Sequence, residues 1–135
     1  MADESSQRYE QRLRVDPRIL AGVRRTVAAR LREWGRGELV GPAAMCVTEL
    51  FSNVYKHTAT ADCLLTLQNL PHGVRAAVTD PEPVLPVAKE PDHLSETGRG
   101  LFLLGETADR WGALPVAEGK EVWFELDAGP AAGEM

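Results

Sequence analysis

Apolar residues alternate with polar ones in two neighbouring stretches of the chain, and this pattern limits the possible folds more than any other feature. In residues 63–67 and 74–78, every second position is apolar. Such alternation is typical of a strand with one buried face. Residues 70–73 form a turn signal between the two stretches, so we predict a β-hairpin. Residues 122–126 alternate in the same way after a turn signal at residues 117–119, which predicts a second hairpin.

Two amphipathic helices are predicted ahead of the first hairpin. Apolar residues recur at three- to four-residue spacing over residues 17–34, and again from about Pro42 to His57. Asp16 is placed to act as the N-cap of the first helix, and the glycines of residues 35–37 are placed to end it.

Three further segments complete the predicted fold. Residues 9–15 alternate as a first strand, and the apolar run that begins at Leu101 predicts a third helix. Residues 81–97 contain four prolines and show no periodicity, which is typical of a long lid or binding loop. We therefore expect an α+β fold, a two-layer α/β sandwich with a mostly antiparallel sheet covered on one face by three helices.

The length of 135 residues and the 44% hydrophobic content suit one domain with a single core. We place that domain at residues 9–127, with residues 1–8 disordered and residues 128–135 as a flexible tail. No apolar run is long enough to cross a membrane, and the polar first residues do not resemble a signal peptide. We therefore expect a cytoplasmic protein without membrane contact.

The net charge of −5 is unevenly distributed. Residues 1–37 hold nine arginines against five acidic residues, whereas the rest of the chain is strongly acidic. A basic first helix suits an acidic protein partner or a solvated face. Direct nucleic-acid binding is not expected, because aromatic residues do not interleave with the basic ones.

The two cysteines, Cys46 and Cys63, are predicted to be buried structural thiols. Each falls on an apolar position of a predicted helix or strand. Neither belongs to a CxxC pair or has a histidine at metal-ligand spacing, so a metal site at these residues is not expected.

A polar stripe lies on the second predicted helix. Glu49, Asn53 and His57 follow one another at four-residue intervals and therefore share one helix face. An amide oxygen suits Mg²⁺, which usually takes few protein ligands together with substrate phosphates. A glutamate is a candidate general base. The alternative is a solvated face near the end of the helix, where a histidine also favours the helix dipole.

Two features downstream could belong to the same ligand site. Asp80 ends the second strand of the first hairpin, where it could accept a hydrogen bond from a ligand or simply begin a turn. The sequence Thr97-Gly98-Arg99-Gly100 precedes the third predicted helix. Glycines there allow the backbone to approach a phosphate, and a helix N-terminus attracts it. A short Gly-x-Gly can also be an ordinary turn, and Arg99 could contact phosphate or face solvent.

The polar helix stripe, the aspartate at the strand end and the glycine segment follow one another in this order. Through them, residues 9–126 resemble the GHKL, or Bergerat-fold, histidine-kinase-like ATPase domain. Within it, the chain resembles the anti-sigma regulatory factors and serine protein kinases of bacterial partner switching. The segment from Glu49 to His57 is similar to the family's N box, and residues 97–100 resemble its G2 box and lid. Residues 109–112 and 119–123 resemble its C-terminal hairpin, where we interpret them as packing and turn residues.

The resemblance implies a cofactor set and roles for individual residues. It implies that ATP and Mg²⁺ are bound, with Asn53 as the metal ligand and Glu49 as the catalytic base. It implies that Asp80 accepts from the adenine amino group. It further implies that His57 and the segment Gly98-Arg99-Gly100 contribute to nucleotide binding.

The resemblance also implies a function, for which alternatives stay open. The expected activity is transfer of the ATP γ-phosphoryl group to a serine of an anti-anti-sigma partner, with sequestration of a sigma factor. Members of the family often form homodimers. The chain departs from the widespread family pattern in having Pro81-Glu82-Pro83 where glycines usually follow the aspartate. A catalytically silent nucleotide-sensing or partner-binding module and a slow ATPase are therefore alternatives.

Overall fold

A computed structural model describes residues 7–14, 16–57, 62–81, 104–117 and 119–129, with only the backbone described at residues 17 and 55–57. Five strands and two long helices form an α+β fold. In chain order they are β1 (Arg8–Arg14), α1 (Leu20–Glu33), α2 (Val40–His57), β2 (Asp62–Leu70), β3 (Gly73–Asp80), β4 (Arg110–Val116) and β5 (Gly119–Asp127). Residues 104–107 are also helical, within the third predicted helix, whose first residues lie outside the described part of the chain.

The five described strands form one sheet in the order β1-β2-β3-β5-β4, and every neighbouring pair is antiparallel. Both predicted hairpins are confirmed, and β1 joins the edge beside β2. The register places Val78 between Leu65 on β2 and Val122 on β5. Because side chains alternate across a sheet, the inward rows of the three central strands meet on one face.

The core lies between that sheet face and the helices. Phe51 of α2 and Phe124 of β5 have no exposed surface, and Val27 of α1 is equally buried. Helices α1 and α2 pack on each other, and α2 packs on β3 and β5. Burial of each such side chain is worth about 1.5–3 kcal/mol, so this contact holds α2 firmly against the centre of the sheet. None of the helices in the described part of the chain is long and apolar enough to cross a membrane.

Helix α1 ends at the glycine that the sequence predicts. Gly35 has a φ of +76°, which a residue without a side chain adopts at little cost. Its N–H donates to the carbonyl of Arg32 at 3.0 Å, and the N–H of Arg36 donates to that of Leu31 at 2.7 Å. These two bonds are the pattern that closes a helix C-terminus. The Arg36 guanidinium also donates to the Leu70 carbonyl at 2.7 Å, which ties the helix end to the β2–β3 turn.

The start of α1 differs from the prediction. Residues Pro17–Ile19 form a 3₁₀ turn, and the α-helix begins at Leu20 rather than at Pro17. The Asp16 carboxylate accepts from the N–H of Arg18 at 2.9 Å, so it caps the 3₁₀ turn. Ile19 makes no side-chain cap for α1. Capping residues therefore mark the start of the helical turn correctly but not its type.

The outer parts of the chain are only partly described. Strand β1 begins at Arg8, one residue before the predicted domain start, and the side-chain oxygen of Gln7 accepts from Asn69 at 3.0 Å. The N–H of Ala128 donates to the carbonyl of His72 at 2.8 Å. The predicted loop over residues 81–97 lies outside the described residues except for Pro81.

The sheet face opposite the helices is charged and organised around Trp123. The guanidinium of Arg75 lies 4.3 Å from the centre of the Trp123 ring and pairs with Glu121 at 3.1 Å and Glu125 at 3.3 Å. Gly112 faces the same ring from β4, and a Cβ there would lie 3.0 Å from it. Trp123 therefore packs against side chains and backbone of neighbouring strands, in agreement with the prediction that it is a packing residue.

Candidate functional site

The polar stripe of α2 is partly buried. Asn53 is only 6% exposed and lies among the core residues Leu50 and Val54, whereas Glu49 is half-buried. The sequence pattern places Asn53 beside the apolar stripe, but the structure encloses it in the core. The His57 backbone ends the helix, and its side chain lies outside the described part of the structure.

The side-chain oxygen of Asn53 is buried and accepts no hydrogen bond from the residues that the structure describes. Such an atom lowers stability by about 1–3 kcal/mol, because it has lost water without gaining a donor. Native proteins retain few groups of this kind, and an ordered water, an ion or a functional role accounts for each. A hard oxygen donor of this type fits Mg²⁺.

Asp80 forms a buried ion pair that the sequence analysis does not predict. Asp80 ends β3, and Lys120 stands directly opposite it near the start of β5. The Lys120 ammonium donates to Oδ1 of Asp80 at 3.1 Å, and the side chains are 2% and 0% exposed respectively. A carboxylate in such a dry place needs a partner of opposite charge, and Lys120 supplies it.

A close backbone approach holds these two strand ends together. Gly119 has a φ of +149°, and a Cβ on it would lie 2.0 Å from the carbonyl oxygen of Asp80 and 2.7 Å from Pro81. Only a glycine allows β5 to begin this close to the end of β3. The residue after Gly119 is Lys120, so the glycine also sets the ammonium beside the carboxylate.

The Asp80–Lys120 pair and the end of α2 lie at the same end of the sheet. Only residues 58–61 separate His57 from Asp62, and the chain can span at most roughly 18 Å over that interval. Strand β2 begins at this end, where β3 finishes and β5 starts. A surface depression opens there, lined by residues of β1, β2 and β3, including Asp80, and by Pro81.

The predicted phosphate-binding residues Gly98, Arg99 and Gly100 lie outside the described residues, so the structure does not place them against Asn53 or Asp80. Within the described ranges, no three His, Cys, Asp or Glu side chains group as a metal cluster. A magnesium ion held by one amide and by phosphates needs no such cluster.

Lys120 takes part in the candidate site, although the sequence predicts only packing and turn residues at positions 119–123. A signal for it exists in the sequence. Lys120 is in phase with the inward-facing residues Val122, Phe124 and Leu126, as Asp80 is with those of β3. Two opposite charges that each continue a buried row indicate a buried ion pair.

Both cysteines are free and buried, as predicted. Burial raises the pKa of the Cys46 and Cys63 thiols to about 12, with smaller contributions from Glu49 to the first and from Asp80 and then Asp62 to the second. At pH 8 about one thiol in 10⁴ is then ionised, against roughly one in ten at the ordinary pKa of 9.0.

We expect native alkylation by iodoacetamide at pH 8 to be at least about 100-fold slower than alkylation in denaturant, because only the thiolate reacts. Mass spectrometry of samples quenched over time measures both rates. Rapid labelling of either cysteine in the folded protein would contradict the structural role.

No protein-family model matches the chain, and no curated protein is significantly similar to it. Its assignment therefore depends on its own residues.

Proposed function

We propose that this chain is a cytoplasmic ATP-binding regulator of the anti-sigma class, with a Bergerat-type nucleotide site at the sheet end where Asp80 lies. The observation that carries the proposal is the buried, unpartnered oxygen of Asn53 among the described residues. An acceptor atom of a ligand would not satisfy it, because an amide oxygen needs a hydrogen-bond donor or a cation. A magnesium ion brought by a nucleotide meets that need.

The other site residues suit the same ligand. Asp80 carries a carboxylate, which is an acceptor at both of its oxygens, and adenine offers an amino group as donor. Glu49 stands one helical turn before Asn53 on the same stripe, so a base and a metal ligand would face one substrate. By the sequence resemblance, Gly98 and Gly100 would cradle the phosphates and His57 would lie nearby.

The reaction we propose is serine phosphorylation of an anti-anti-sigma partner, supported by the resemblance of the motifs. The serine oxygen forms a bond to the γ-phosphorus, the bond from that phosphorus to the ADP oxygen breaks, and the hydroxyl proton passes to Glu49. Positioning supplies most of the catalysis in phosphoryl transfer, which suits a site fixed on the core helix α2. The phosphorylation state of the partner would decide whether the chain sequesters a sigma factor, as a monomer or homodimer.

The Asn53→Ala variant tests the proposal. We expect it to bind Mg-ATP at least about tenfold more weakly and to lose the dependence on magnesium. Its free energy of unfolding without ligand should stay within about 1 kcal/mol of wild type. The lost packing is offset by removal of the unsatisfied oxygen and by the better helix propensity of alanine.

Isothermal titration calorimetry with ATP, with and without Mg²⁺, makes the measurement, and Ser52→Ala serves as a matched control on the same helix. Equal nucleotide affinity in Asn53→Ala and Ser52→Ala would remove Asn53 from the site. A folded wild-type protein that binds no nucleotide would overturn the proposed function.

A catalytically silent partner-binding module is the second candidate. Pro81 follows Asp80 directly and packs against Gly119, which leaves the backbone after Asp80 little freedom to form a nucleotide pocket. Incubation with Mg-ATP separates the candidates once binding is measured. Phosphate on a partner serine supports the kinase, phosphate release without an acceptor supports a slow ATPase, and neither product supports the silent module.

A further inference from the structure

The two edges of the sheet differ in how well they are protected against a further strand. Strand β4 contains Gly112 and Pro115, two residues that weaken strand pairing. Strand β1 at the other edge contains neither, and all seven of its residues pair with β2 in an unbroken register. Among the described strands, none pairs with the other side of β1, so alternate backbone N–H and C=O groups of β1 face away from the sheet.

One row of β1 side chains gives this edge a positive charge. Arg8, Glu10, Arg12 and Arg14 alternate along the strand, and all four are exposed. Arg12 has no ion-pair partner among the residues that the structure describes, and the pairs Arg8–Glu10 and Arg14–Asp62 are open to solvent. Exposed pairs of this kind contribute little to stability, so these arginines can turn to a new carboxylate at little cost.

The opposite row of β1 faces the rim of the core. Tyr9 and Leu13 are half-buried against core residues, and the guanidinium of Arg30 on α1 lies 4.6 Å from the centre of the Tyr9 ring. A strand added beside β1 would place every second side chain against this apolar rim and the remaining side chains beside the arginines.

We propose that the edge of β1 docks an extended segment of an acidic protein partner, which joins the sheet as a further strand. Apolar residues of that segment contact Tyr9 and Leu13, and its carboxylates lie opposite Arg12 and Arg14. Main-chain hydrogen bonds supply affinity in this binding mode, and the alternate side chains supply specificity. A second copy of β1 is a poor occupant, because in the fully paired antiparallel register Arg8 of each copy faces Arg14 of the other. The inference does not depend on the proposed nucleotide site.

The test uses the peptide acetyl-Thr-Val-Glu-Val-Glu-Val-Thr-amide, whose alternation matches the edge, and the analogue with lysine in place of glutamate. Hydrogen exchange followed by NMR on the full chain reports on the amides of β1. We expect the glutamate peptide to slow exchange at least about tenfold at the alternate amides of β1 that face away from β2, and the lysine peptide to have no such effect. No added protection, or equal protection by both peptides, would overturn the inference.

Two charge-reversal variants separate docking at the edge from a general attraction to positive charge. Arg12→Glu and Arg25→Glu both replace an exposed arginine, but Arg25 lies on the solvent side of α1. Arg12→Glu should bind the glutamate peptide at least about tenfold more weakly than wild type, and Arg25→Glu should stay within about twofold of it. NMR titration measures both affinities. Equal weakening in the two variants would show that the peptide responds only to net charge, which also contradicts the inference.

Discussion

Replacing Lys120 with methionine is expected to lower the free energy of unfolding by about 3–5 kcal/mol. Methionine fills most of the volume of the lysine stem, so the loss comes from the charge. Without the ammonium, the buried Asp80 carboxylate loses the opposite charge that β5 supplies, and a buried charge that loses such a partner is costly. Urea unfolding followed by circular dichroism measures the change.

The reciprocal variant provides the control. Asp80→Asn should also destabilise the protein, because it removes the negative charge that pairs with the buried Lys120 ammonium at 3.1 Å. The double variant Asp80→Asn/Lys120→Met should lie within about 2 kcal/mol of wild type, since removing a whole buried pair often costs little. The loss of unfolding free energy in the double variant should therefore be smaller than the sum of the losses in the two single variants. Additive losses would show that the two charges do not stabilise each other.

Gly119→Ala is expected to cost about 3 kcal/mol or more of the free energy of unfolding. The new methyl group would lie 2.0 Å from the Asp80 carbonyl oxygen, a backbone atom that moves only if β3 and β5 separate. The φ of +149° adds strain for any residue with a Cβ. Thermal and urea unfolding both report the loss.

Gly41→Ala is the matched control for the same chemical change. Gly41 lies in the first turn of α2, and a Cβ there meets no atom within 4 Å apart from its chain neighbours and the nearby helix backbone. Alanine should change the free energy of unfolding there by less than about 1 kcal/mol, because its better helix propensity is opposed by the restriction that Pro42 places on the preceding residue. If Gly119→Ala were as well tolerated as Gly41→Ala, the close approach of β5 to Asp80 would not exist in solution.

The elements that the sequence predicts well are those with a local cause. The alternation in residues 63–67 and 74–78, with one turn between them, determines the first hairpin almost alone. The strand order has no such cause. Strand β5 pairs with β3 on one side and with β4 on the other, and the long interval between β3 and β4 leaves that choice to the packing of the whole sheet.

The same contrast holds for the candidate site: contacts within one helix can be predicted from the sequence, whereas contacts between elements depend on the packing of the fold. Glu49 and Asn53 share a face because four residues separate them on one helix, which any helical reading of the sequence shows. The burial of Asn53 depends on how α2 meets the sheet, so the helix pattern alone misplaces it at the margin. Asp80 and Lys120 are 40 residues apart, and only the strand register brings them together.

The central position of β5 has a consequence for how the chain folds. Strands β1, β2 and β3 come earlier in the sequence and can pair first, but β3 keeps one open edge until β5 arrives. During synthesis on the ribosome, Asp80 therefore cannot form its ion pair with Lys120 until residue 120 has emerged. Closing a contact over such a sequence distance is slow compared with hairpin formation. The step that completes the sheet is thus also the step that assembles the candidate nucleotide site, and partly made chains have neither.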